Sequence, residues 1–160
     1  MSNSHPKNVF VIGAQRTGKT TLVNAVKEYY LQNPQSDGLR PRLIIEVART
    51  VLGQVNMTRD ELATSPDQAL RLQEAIIQAQ YEAETAGAMD PDDWYISDRS
   101  GVDPIVYTQL LVGEEATARL LDSMALITLE ANMRSGLVFL CEAGCTWLVD
   151  DGISKSVACT

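Results

Sequence analysis

Apolar positions in this chain come in short bursts, separated by longer stretches in which they recur at helical spacing. Val9–Phe10–Val11–Ile12 is an unbroken apolar run of the length of a buried strand. A loop punctuated by glycines follows, and Leu22, Val23 and Val26 then predict a helix over about Gly18–Leu31. Asn33–Pro41 is polar, contains Pro and Gly, and reads as a surface loop. Leu43–Ile44–Ile45 predicts a second strand closed by Glu46, and Val47–Val55 a short helix.

Two capping-box patterns come next, Thr58-Arg59-Asp60-Glu61 and Ser65-Pro66-Asp67-Gln68. The second puts proline at the first helical position and opens a long helix to about Ala86. Leu72, Ile76, Ala79 and Ala83 share one face of it, and Gly87 is its natural stop. Asp90-Pro91-Asp92-Asp93 reads as a turn, and Trp94–Tyr95–Ile96–Ser97 as a third strand ending at Asp98. Asp103-Pro104 caps a helix toward Val112 that Gly113 stops. Glu114–Met133 predicts one long helix, with acids early and Arg134 just beyond its end, as the helix dipole favours. Leu137–Val138–Phe139–Leu140 predicts a fourth buried strand.

Strands alternating with helices imply the α/β class, a parallel sheet with right-handed crossovers and helices on both faces. Ligands of such sheets sit at the carboxyl ends of the strands. The charged residues that close the strands here therefore fall where a ligand is expected.

The loop after the first strand has the most specific chemistry. Gly13, Gly18, Lys19 and Thr20 fit the spacing G-x-x-x-x-G-K-[ST] of a phosphate-binding (Walker A) loop. A glycine loop can turn its backbone N–H groups inward around a polyphosphate without Cβ clashes, and the following helix directs its positive end at the same phosphates. Gly13, Ala14, Gln15, Arg16, Thr17, Gly18, Lys19, Thr20 and Thr21 are thus the expected nucleotide contacts. The Lys19 ammonium, facing solvent and ligand, reaches the β and γ oxygens, and the Thr20 hydroxyl ligates Mg²⁺.

Other residues gather around this loop. Asp98 suits Mg²⁺ or the positioning of an attacking group, or else caps a turn. Arg99 suits bidentate bridging of phosphates, or else a surface ion pair. Glu46 suits general-base work on an acceptor hydroxyl, or else favours a helix N-terminus. Arg49, one helical turn on, holds the acceptor or pairs with Glu46.

Composition narrows the partners. A chain of 160 residues is one domain by expectation, and its net charge of −8 argues against nucleic-acid backbone binding. No segment approaches the ~18 apolar residues of a membrane span. The polar start MSNSHPKN is not a signal peptide. Three cysteines, Cys141, Cys145 and Cys159, make no even framework, which points to a reducing, cytoplasmic setting. With His5 the single histidine, they assemble no zinc ligand set.

The segments GAQRTGKTTL, IIEVARTVL, YISDRSGVDPIVY and LVFLCEAGCTWLVDDG resemble, in order and approximate spacing, nicotinamide-riboside-kinase-like P-loop domains. Such domains are often labelled AAA-type ATPase domains and are related more widely to deoxynucleoside and nucleoside-monophosphate kinases. The resemblance covers about residues 8–152, leaving 1–7 as a disordered tail and 153–160 as a flexible one. It implies a three-layer P-loop NTPase fold, ATP with Mg²⁺, and phosphate transfer to a small acceptor. It carries Gly13, Gly18, Lys19 and Thr20 onto the phosphate loop, Glu46 and Arg49 onto the acceptor side, and Asp98 and Arg99 onto the D-R motif. It also implies a sheet in the order 2-3-1-4-5 and an arginine-bearing lid after WLVDDG. No arginine follows Arg134, Lys155 being the one later cation, so lid and fifth strand are expected to be missing, as in a shortened gene model or splice form. The order left is 2-3-1-4, with a fourth-strand edge open to self-association.

Three activities compete. The first is an ATP-dependent small-molecule kinase, with Lys19, Glu46, Asp98 and Arg99 as its catalytic residues. The second is a nucleotide-binding switch or scaffold with little transfer, which a missing lid favours. The third is a mechanical or oligomeric ATPase, for which Glu142 is the one candidate second acid, and a solvated loop position accounts for it as well.

Overall fold

The computed structural model describes residues 7–14, 17–33, 40–55, 62, 64–86 and 94–142. Strands β1 (Val9–Gly13), β2 (Arg42–Ile44), β3 (Tyr95–Asp98) and β4 (Leu137–Cys141) form one sheet in the order β2-β3-β1-β4, with every pairing parallel. The described helices are α1 (Lys19–Gln32), α2 (Val47–Val55), α3 (Pro66–Thr85), α4 (Val102–Leu111), α5 (Glu114–Leu121) and α6 (Met124–Ser135). The α/β class and the strand order are those the sequence predicts. The Thr58–Glu61 capping box, residues 34–39 of the expected surface loop, Gly87, the turn at Asp90–Asp93, residues 1–6 of the first tail, the whole of the second, WLVDDG and Lys155 lie outside the described residues.

The pleat sends successive side chains to opposite faces, and it sorts the core into layers. Val9, Val11, Leu43 and Ile96 turn to one face, against Val23 and Val26 of α1. Phe10, Ile12, Ile44 and Tyr95 turn to the other, against Ala83 of α3 and Met133 of α6. Phe10 and Tyr95 meet edge to face, with ring centroids 5.7 Å apart. At the end of β3 the same alternation gives Asp98 to the α1 face and Ser97 to the α3 face. Outside the sheet, Val51 of α2 packs on Leu72 and Ile76 of α3, and Ile77 packs on Leu120, Leu126 and Leu129.

The α3 face also holds a polar network that the apolar pattern did not reveal. Leu72 and Ile76 are buried as expected and Ala79 and Ala83 half-buried, but the buried stripe runs on through Gln73, Gln80 and Glu84. Glu84 accepts from Gln80 Nε2 at 2.9 Å, from the Tyr95 hydroxyl at 2.7 Å and from Asn132 Nδ2 at 3.2 Å. Gln80 Nε2 also donates to Ser97 Oγ at 2.9 Å. Arg42 stacks on the Tyr95 ring and donates to the carbonyls of Ala83 and Glu84. Burial, and then the Glu84 carboxylate, push the Tyr95 phenol far above its usual range. Removing Glu84 strands the buried Tyr95 hydroxyl and takes one acceptor each from Gln80, which keeps Ser97, and from the half-buried Asn132, so Glu84→Ala should cost about 1–3 kcal/mol in urea denaturation. An unchanged midpoint would contradict this account of the network.

Several boundaries differ from those expected. The stretch Glu114–Met133 is two helices, broken at Asp122–Ser123 because the Ser123 hydroxyl accepts from the Leu126 N–H and starts α6 afresh. Helix α4 begins at Val102, with Asp103 inside its first turn rather than capping it. Strand β2 is shifted one residue toward Arg42, and β3 starts at Tyr95. Strand β4 forms where expected but is not buried. Leu137, Val138, Phe139 and Leu140 are 44–65% exposed, because β4 is the sheet edge and no described element covers its faces.

Candidate functional site: a phosphate loop and three strand ends

Gly13 ends β1 with φ +142°, and a Cβ there would collide with the Cys141 carbonyl oxygen, because Gly13 pairs with Cys141 at the end of β4. Glycine is demanded twice over, by conformation and by space. Gly18 starts α1 with φ +80°, and no side chain caps the helix. The α1 first-turn N–H groups therefore lack a side-chain acceptor, the condition under which a helix start attracts an anion. Gln15 and Arg16 lie outside the described residues.

Lys19 corrects one expectation. It is only 4% exposed, and its ammonium turns under the loop rather than to solvent. It donates to the Gly13 carbonyl at 2.8 Å, to the Ala14 carbonyl, and to Thr17 Oγ1 at 3.4 Å. Thr17 in turn donates to the Ala14 carbonyl at 2.9 Å. The physical reason is that a buried ammonium takes the nearest strong acceptors, and the loop carbonyls are within its reach. Burial and then the Arg99 charge hold the Lys19 pKa below 10.5, against opposing pulls from Asp103, Asp98 and Cys141.

That depression has a testable consequence. Between the folded and unfolded pKa values the unfolded chain binds more protons, so stability rises with pH up to about 10.5. Urea midpoints measured upward from pH 7 should show a rising contribution that Lys19→Met removes. Identical pH profiles for the two proteins would contradict the buried, charged Lys19.

Thr20, on the first turn of α1, donates to Asp98 Oδ2 at 2.6 Å. Asp98 is buried, and its other oxygen, Oδ1, has no partner. No group of three or more His, Cys, Asp or Glu suited to a metal occurs among the described residues. One hydroxyl and one carboxylate are the donors that suit Mg²⁺ when phosphate oxygens and water complete its shell. The uncapped helix start, the two glycines and the orphaned Asp98 oxygen together fit a magnesium nucleotide.

Two non-glycine residues among those described have positive φ, Glu46 at 56° and Arg99 at 94°. They stand just past the ends of β2 and β3. Strained backbone of this kind persists where surrounding structure enforces it and concentrates at functional sites. The Arg99 N–H donates to the Val11 carbonyl at 3.0 Å, tying the end of β3 to β1. Its guanidinium meets Asp103 at 2.9 Å, so Asp103 orients Arg99, a role the sequence did not disclose. Glu46 pairs with Arg49 at 2.5 Å, the side chains 37% and 78% exposed. A pair so exposed is worth little and opens at small cost. The structure thus joins Lys19, Thr20, Asp98 and Arg99 in one cluster, with Glu46 and Arg49 following β2, the strand next to β3 and two from β1, along the same edge.

A parallel sheet ordered β2-β3-β1-β4, with a glycine loop between β1 and α1 and an aspartate from β3 against the loop's threonine, defines a P-loop NTPase-type domain. A family model described as an AAA domain matches residues 8–156, and the chain belongs to that AAA domain family of P-loop nucleotide-binding proteins. Comparison with curated proteins and with solved structures gave no match. No described helix is long and apolar enough to cross a membrane.

Proposed function

We propose that this protein is an ATP-dependent small-molecule kinase of the cytoplasm, acting on a nucleoside- or nucleotide-type acceptor of the nicotinamide-riboside-kinase kind. The observation that carries the reading is the Thr20–Asp98 contact at 2.6 Å, with Asp98 Oδ1 left free beside an uncapped helix start. Thr20 and Asp98 hold Mg²⁺, which when bound neutralises phosphate charge. The amides around Gly13–Thr21 and the Lys19 ammonium cradle the triphosphate, Lys19 leaving the loop carbonyls for the phosphates. Glu46 takes the proton from the attacking acceptor hydroxyl. Arg49 holds the acceptor. Arg99, oriented by Asp103, stabilises the charge on the transferring group. Positioning and electrostatics supply most of such catalysis.

The direct test is a transfer screen of purified protein with Mg–ATP against nucleosides, nucleoside monophosphates and nicotinamide riboside. Phosphorylation of one of them supports the kinase. Tight Mg–ATP binding with no transfer to any would favour a nucleotide-binding switch instead.

A further inference from the structure

The two outer strands of the sheet are not alike. β2 is three residues long, carries Arg42 and follows Pro41, so it is short and charged, as protected edges are. β4, at the other edge, has five residues, Leu137–Cys141, with no charge and no proline, and its pairing with β1 runs without a bulge. Its outer N–H and C=O groups meet no other strand among the described residues. The register with β1 turns Leu137, Phe139 and Cys141 to the α1 face and Val138 and Leu140 to the α3 face. Leu137, Val138, Phe139 and Leu140 are all exposed, so the strand is apolar and open on both faces as well as along its edge. Opposite charges bracket it. Arg134, in the last turn of α6, pairs with Glu130 at 2.6 Å, but the two are 76% and 55% exposed, and such a pair opens at small cost. Glu142, also exposed, follows the strand.

We propose that β4 is a docking edge for a second copy of this chain: the two β4 strands pair antiparallel about a twofold axis normal to the sheet, with Phe139 opposite the partner's Phe139. This is independent of the nucleotide and kinase readings. Self-complementarity selects both the occupant and the direction. In this register Leu137 lies opposite the partner's Cys141 and Val138 opposite the partner's Leu140, so all five positions meet apolar residues on their own face. Centring the pair on Val138 or Leu140 instead would set Gly136 or Glu142 against an apolar residue. Antiparallel pairing also puts Gly136 opposite the partner's Glu142, which brings Arg134 of each copy near the acid of the other. Parallel pairing would stack Glu142 on the partner's Glu142 and Arg134 on the partner's Arg134, like charge on like. Main-chain hydrogen bonds along the edge supply affinity, and the alternating side chains supply register. The same patch serves both copies, so the contact closes on itself as a dimer.

The test is sedimentation velocity of the 160-residue chain in reducing buffer, from micromolar to submillimolar concentration. Wild type should pass from monomer to dimer and form nothing larger. Phe139→Lys sets two ammonium groups against each other at the axis and should raise the dimer dissociation constant by about tenfold or more. Phe139 is 54% exposed in the single chain, so the variant monomer should still melt cooperatively. Register is read separately, by Leu137→Cys in a chain that also carries Cys145→Ser and Cys159→Ser. A short bis-maleimide should then join residue 137 to the partner's Cys141 as a covalent dimer, and adding Cys141→Ser should abolish the product. A wild type that stays monomeric throughout overturns the proposal; protection of the Leu137–Cys141 amides from hydrogen exchange in that monomer would assign the edge to another part of the same chain. A dimer indifferent to Phe139→Lys, open assemblies beyond the dimer, or no cross-link between residue 137 and Cys141 overturns it as well.

Discussion

Replacing Glu46 with Gln is expected to slow phosphate transfer by about 10²–10⁴-fold at unchanged Mg–ATP affinity, the range of a lost general base. The argument is positional. Glu46 stands two residues past the end of β2, and β2 is separated from β1 by β3 alone, so Glu46 and the phosphate loop stand at one edge with Asp98 between them. Two strand spacings put them about 10 Å apart, which leaves room for an acceptor hydroxyl between carboxylate and phosphate. The left-handed backbone at Glu46, φ 56°, is stabilised by Thr50, whose N–H and hydroxyl both donate to the Glu46 carbonyl. Gln keeps the shape and loses the base. Steady-state rates on an acceptor from the screen, paired with nucleotide titrations, measure both halves. Unchanged turnover would reduce Glu46 to an acid that merely favours the start of α2.

Replacing Lys19 with Met should weaken Mg–ATP binding by about two orders of magnitude or more, since charge-assisted bonds to phosphate are worth roughly twice neutral ones and Lys19 is the described cation on the loop. The fold should survive, although not because the side chain is exposed. The buried ammonium costs desolvation that its bonds to the Gly13 and Ala14 carbonyls only offset, so an apolar stem of similar length is tolerated. Equal affinity in a fluorescent-nucleotide displacement assay would contradict a phosphate-facing role for Lys19.

The loop, the strands and the strand-end charges were legible because each rests on local pattern: G-x-x-x-x-G-K-T spacing, apolar runs of strand length, and a charged residue after each of the second and third runs; the strand order came from the family resemblance alone. What was not legible depends on partners distant in sequence. Gln73, Gln80 and Glu84 look like solvent-facing polar residues on an amphipathic helix until Tyr95, Ser97 and Asn132 are brought against two of them. The break at Ser123 hides inside continuous helical periodicity, since a serine cap costs the pattern nothing. The four apolar residues of β4 predict a strand correctly, but an apolar run does not say whether anything covers it. Lys19 was placed facing solvent because motif spacing gives a residue's neighbours along the chain and not the carbonyls within reach of its amine. Arg99 was read as a phosphate contact or else a surface ion pair, and its pairing with Asp103 required the start of α4 to be known.

The central claim is that the Gly13–Thr20 loop, closed by Asp98, binds a magnesium nucleotide. Titration calorimetry of Mg–ATP into the wild-type protein tests it most directly, repeated with EDTA in place of Mg²⁺ and with the Lys19→Met protein. The account predicts saturable binding at one site per chain, weakened when Mg²⁺ is removed because Thr20 and Asp98 lose their shared ion, and weakened by about two orders of magnitude or more in the variant. Absence of heat in the wild type, or the same affinity in all three titrations, would contradict it.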